Sequence, residues 1–150
     1  ACGSRLGAMT HLLDTNVCIA LMRGHAGVRQ RVKGLSPNDL GISTVTLYEL
    51  LAGARRCRNP AREEERITTM VGPIHLVSFD AEAASKSAAI RFGLEQSGKP
   101  FGSYDLQIAG QAMALDCILV THNTAEFQRV PGLRLEDWEG PTDPNPSKRR

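Results

Sequence analysis

The sequence predicts an α/β fold in which a mostly parallel sheet is covered by helices on both faces. Short apolar runs read as strands buried on both sides, and longer stretches between them carry the i, i+3, i+4 spacing of amphipathic helices. Strand-then-helix order recurs along the chain, and 150 residues is the usual size of one domain with one core.

The first strand is His11-Leu12-Leu13, and it ends at Asp14-Thr15-Asn16, where a helix carrying Val17, Ile19, Ala20 and Leu21 begins. Gly24 and Gly27 break that pattern, residues 28–33 form a short helix with a basic face, and Ser36-Pro37-Asn38-Asp39 turns the chain. Leu40-Gly41-Ile42-Ser43 is the second strand. Residues 44–56 follow with Val45, Leu47, Leu50, Leu51 and Ala54 on one helical face.

Residues 62–71 read as a charged helix and 74–79 as a strand, after which Asp80 caps an alanine-rich helix running toward Gln96. A glycine-containing loop at 98–103 leads to a helix at 104–115, a continuous apolar strand at 117–121 and a last short strand at 133–135. The domain is expected to span residues 9–138. Residues 1–8 read as a remnant of expression, and 139–150 as a flexible tail with prolines and a basic end.

A composition of 41% hydrophobic and 23% charged residues suits an ordinary folded domain. The net charge of +2 is too small for a protein that grips nucleic acid by charge alone, so any such contact is local. Cys2, Cys18, Cys57 and Cys117 show no C-x-x-C spacing, which excludes a zinc knuckle and gives no disulfide framework. Reduced thiols and the lack of a bilayer-length apolar run lead us to expect a cytoplasmic protein with no membrane partner.

Ligand sites of open α/β sheets lie beyond the C-terminal ends of strands. Asp14 follows the first strand, Glu49 lies early in the helix after the second, Asp105 opens a later helix, and Thr121-His122-Asn123 follows a buried strand. Each acid also has a structural explanation. Asp14 is a natural N-cap, Thr46 and Glu49 have capping-box spacing, and Ser103 with Asp105 matches a cap followed by an acid near the helix dipole.

Taken together, Leu12-Leu13-Asp14-Thr15-Asn16, Ser43-Thr44-Val45-Thr46-Leu47-Tyr48-Glu49-Leu50, Tyr104-Asp105-Leu106-Gln107-Ile108-Ala109 and Leu119-Val120-Thr121-His122-Asn123 occur in the order seen in the PIN-domain family, which the chain resembles. Gly98-Lys99-Pro100, Glu126-Phe127 and Val130-Pro131-Gly132-Leu133 extend the likeness to its VapC-type toxins, over roughly residues 9–138.

The resemblance implies a Rossmann-like three-layer α/β/α PIN fold and an endoribonuclease dependent on Mg²⁺ or Mn²⁺. It further implies a homodimer neutralised by a small cognate antitoxin, with transfer RNA as one candidate substrate and products bearing a 5′-phosphate and a 3′-hydroxyl. Asp14, Glu49 and Asp105 become the metal-binding carboxylates. The family's fourth acidic position falls on neutral Asn123, with Glu126 on the following turn as a water-mediated substitute. That departure implies one firm ion and one dependent on substrate, and leaves a non-catalytic module that binds RNA or a partner protein as the alternative.

Hard divalent cations take oxygen ligands, and three acids suffice for an ion that keeps several waters. Asn16, Thr44 and Thr121 are candidates to hold the acids by hydrogen bonds, or else belong to turns and caps. Arg55, Arg56, Arg58 and Arg62 either contact phosphates or form a solvated helix face, while Trp138 and Tyr48 are expected in the core. His122 abuts the expected site, but the four histidines show no metal-ligand spacing. A dehalogenase-type phosphatase would need an acid at Asn16, and a phospho-accepting receiver domain an acidic pair and a late lysine that are missing.

Overall fold

The computed structural model describes residues 9–99 and 101–140. Five strands form one sheet in the order β3-β2-β1-β4-β5: β1 His11–Leu13, β2 Leu40–Ser43, β3 His75–Val77, β4 Ile118–Val120 and β5 Leu135–Glu136. Every pairing is parallel, with Leu12 opposite Gly41 on one side and Leu119 on the other. The expected mostly parallel sheet is therefore wholly parallel among the described residues.

Helices α1 Thr15–Met22 and α2 Ala26–Lys33 connect β1 to β2, and α3 Thr44–Ala54 and α4 Pro60–Val71 connect β2 to β3. The chain then crosses back through α5 Ala81–Gln96 and α6 Ser103–Leu115 to β4, and α7 Thr124–Phe127 leads to β5. Right-handed crossovers put connections running in opposite directions on opposite faces. Alternation along each strand feeds both layers: Leu13, Ile42 and Val120 pack with α1 to α4, while Leu12 and Leu119 pack with α6 and α7.

Close packing explains two glycines. A Cβ at Gly41 would collide with the Met9 thioether and lie 3.3 Å from His75, so β2 admits no side chain there. A Cβ at Gly110 would come within 2.9 Å of the Ser87 Cβ and 3.0 Å of the Ala83 carbonyl oxygen, so this glycine lets α5 and α6 pack closely.

The last strand begins two residues later than its apolar pattern suggested. Leu133 still closes the turn through its amide bond to the Val130 carbonyl, with Gly132 at φ +81°, and ladder pairing starts only beyond it. The expected flanks at 1–8 and 139–150 lie outside the described residues, except that Glu139 and Gly140 are placed after β5. Pro100 of the expected loop also lies outside them.

Candidate active site

Strand order reverses direction between β1 and β4, and a crevice at such a switch point lies beyond the C-terminal strand ends. Asp14 leaves β1 there and Thr121 leaves β4, with the Asp14 amide bonded to the Val120 carbonyl at 3.1 Å. The Asp14 side chain is only 4% exposed, and one carboxylate oxygen caps α1 by accepting from the Val17 amide at 2.8 Å. The capping explanation is therefore correct for Asp14, yet it occupies only one of its two oxygens.

Burial raises the Asp14 pKa most, the Thr121 hydroxyl and Val17 amide oppose it, and the charges of Asp105 and Glu139 add to it, leaving it at about 6. Thr121 is fully buried, and its oxygen accepts from the Asn123 amide at 3.0 Å, which leaves its hydroxyl proton free for Asp14.

Glu49 reaches the same strand end from α3. The Thr15 hydroxyl donates to Glu49 Oε1 at 2.6 Å and lies 3.2 Å from the buried Thr46 hydroxyl. The capping-box explanation fails for Thr46 and Glu49. Because β2 runs straight into α3, Ser43 is the N-cap and accepts from the Val45 amide, leaving Thr46 inside the helix.

Asp105 stands in the first turn of α6. Gly102 is the N-cap and makes no side-chain bond, so the expected cap at Ser103 is also replaced. Burial raises the Asp105 pKa, and the charges of Glu49 and Glu126 raise it further. Asp105 thus electrostatically links Asp14 on one side to Glu49 and Glu126 on the other.

The remaining expected residues divide. Asn123 is exposed at the start of α7, with no side-chain capping bond. Glu126 pairs with Arg129 at 2.7 Å, so part of its charge is already met. Asn16 is exposed and lines a cleft of about 650 Å³ with Arg23, His122, Asn123 and Glu139. Thr44 makes no side-chain hydrogen bond to the acids among the described residues. Arg55 and Arg56 are exposed at the end of α3, Arg55 lies 3.9 Å from Glu64, and neither lines the Asn16 cleft or the cleft that includes Glu49.

Four residues escaped the sequence reading. Thr15 holds Glu49, and its signal was adjacency to Asp14. Arg23 lines both the Asn16 cleft and a second cleft that includes Glu49. Glu139 and Asp137 follow β5, and an acidic run after a parallel strand could have marked them. His122 Nδ1 lies 3.1 Å from the Asp137 carboxylate, which raises its pKa. Buried Trp138 anchors this segment by donating to Glu136 at 2.8 Å. Tyr48 is 56% exposed, contrary to expectation, because Leu47, Leu50, Leu51 and Ala54 take the core positions of α3.

Among the described residues, no three His, Cys, Asp or Glu side chains are placed to hold one ion in common. The donor chemistry nevertheless fits a hard divalent cation that keeps part of its water. Asp14, Glu49 and Asp105 offer only oxygen, and among the described residues none is in an ion pair. Burial and the Asp14 charge keep the nearby Cys18 thiol protonated, so no soft thiolate competes.

The PIN domain family model matches residues 11–133. The chain is 43% identical over 128 residues to the "tRNA(fMet)-specific endonuclease VapC" of Shigella flexneri, covering 85% of this chain and 96% of that protein. It is 31% identical to the "Ribonuclease VapC2" of Rickettsia felis, over 87% of this chain and 99% of that one. The structure superposes on the DNA-bound VapBC of Salmonella typhimurium with a TM-score of 0.82 at 35% identity, over 87% and 98% of the two chains. Fold, match and identity agree over nearly all the described residues: the chain belongs to the PIN domain family, in its VapC branch.

Proposed function

We propose that this protein is the toxin of a toxin–antitoxin pair and acts as a divalent-metal-dependent endoribonuclease. The observation that carries the reading is that Asp14, Glu49 and Asp105, buried or half-buried at the switch point, are in no ion pair among the described residues, and that Asp105 feels the charge of Glu49 and Asp14 that of Asp105. The names of the relatives support RNA as the substrate, and the Shigella flexneri protein makes transfer RNA the first candidate. The VapBC complex supports a cognate antitoxin, and the homodimer we assign rests on the family resemblance.

Asp14 and Asp105 hold the cation, with Glu49 engaging it directly or through water while Thr15 fixes the Glu49 carboxylate. When bound, Mg²⁺ or Mn²⁺ supplies a positive charge that activates water and offsets charge on the departing oxygen. Thr121 orients Asp14 from behind, and Arg23 takes the phosphate-contact role expected of Arg55 and Arg56 because it alone of these lines the clefts. Neutral Asn123 lowers the negative charge on its side, so a second ion there depends on the substrate's phosphate.

Asn123 also favours the second reading, a silent module that binds RNA or protein without cutting. Sequencing RNA 5′ ends after a brief induction separates the two. New ends should appear with the parent chain and vanish with Asp105→Ala and Asp14→Asn; ends that persist unchanged in both variants defeat the nuclease reading.

A further inference from the structure

Both tyrosines of the chain stand together on the surface. Tyr48 is 56% and Tyr104 42% exposed, their rings meet edge to face at 5.6 Å and 71°, and the hydroxyls lie 3.3 Å apart. Each immediately precedes one of the acids, Tyr48 before Glu49 and Tyr104 before Asp105, so the same turns of α3 and α6 carry the rings and the carboxylates, and the Glu49 charge is felt at Tyr104. The edge-to-face contact of the rings orients the pair and leaves aromatic surface open to solvent.

We infer that Tyr48 and Tyr104 form a stacking contact for an unpaired nucleobase next to the scissile phosphate. The inference rests on the reading that the acids engage RNA. A phosphate drawn to a cation at Asp14 and Asp105 carries its bases with it, and the aromatic surface beside those acids is this pair. An aromatic ring accepts any base through its π-face, whereas an A-form duplex keeps its bases stacked away from such a ring. The rings border the site, which favours a nucleobase over a second copy of the chain as their occupant.

The test uses an Asp105→Asn background, in which RNA should remain uncut, with fluorescence anisotropy of labelled oligo(rA) and a same-length abasic ribose-phosphate oligomer. The parent should prefer oligo(rA) by about 10-fold, a ratio Tyr48→Phe keeps and Tyr48→Ala and Tyr104→Ala reduce to near unity. An oligo(rA) preference that is absent in the parent, or undiminished in both alanine variants, overturns the inference. Sedimentation showing that Tyr48→Ala dissociates a dimer also overturns it and assigns the pair to a protein interface. Should the chain with Asp105 intact cut no RNA while the tyrosine-dependent preference persists, the nuclease reading falls and the stacking contact stands.

Discussion

The Thr15 hydroxyl donates to Glu49 Oε1 at 2.6 Å, joining the first residue of α1 to the second turn of α3. A long-range bond of this kind fixes a carboxylate that its own helix leaves free to choose among rotamers. Thr15→Val keeps the shape and removes the donor, so kcat/KM should fall about 10-fold while Thr15→Ser stays near the parent. Steady-state cleavage assays with thermal melts of both variants check this; an unchanged rate in Thr15→Val would refute a positioning role.

Asp14 should make the metal-free protein less stable as the pH rises. Its pKa is about 6 in the folded chain against 3.8 for the free side chain, so between these values the folded state holds a proton that the unfolded state has released. The contribution is complete below about pH 4 and lost as pH rises through 6, amounting to about 3 kcal/mol. Urea unfolding in EDTA at several pH values should show Asp14→Asn losing that component of the slope. Mn²⁺ should bind the parent with release of protons and weaken below about pH 6, because the carboxylate must be ionised to ligate; calorimetry in buffers of different ionisation enthalpy reads this directly.

Arg23 lines both the Asn16 cleft and the cleft that includes Glu49, whereas Arg55 and Arg56, at the C-terminal end of α3, line neither. Arg23→Ala should weaken RNA binding about 10-fold and lower the salt dependence by roughly one phosphate contact, with the Arg55→Ala/Arg56→Ala pair within about twofold of the parent. Binding measured across a salt series distinguishes them, and the reverse ranking would restore the phosphate contact that the sequence left open for Arg55 and Arg56.

Gly110→Ala should cost about 1–3 kcal/mol, since the added methyl meets the Ser87 side chain and the Ala83 carbonyl where α5 and α6 touch. Denaturant midpoints measure the loss.

The sequence by itself determined the layered α/β architecture and the helix starts at Asp14 and Asp80, while its resemblance to the PIN-domain family picked out the three acids worth testing. Apolar period and capping chemistry are local properties, and they are written in neighbouring residues. Trp138 was legible as core for the same reason: a large apolar ring close to the last strand has a buried place to go.

Only the tertiary structure decided what surrounds those acids. Thr46 looked like a cap until β2 ran directly into α3, and Tyr48 looked like core until four neighbours filled that face. Thr15, Arg23 and Glu139 became visible because a strand end, a helix end and the segment after β5 meet across the switch point. The reason is physical: burial and Coulomb interactions depend on distance in space, and a parallel sheet places side by side residues separated by a hundred positions of chain.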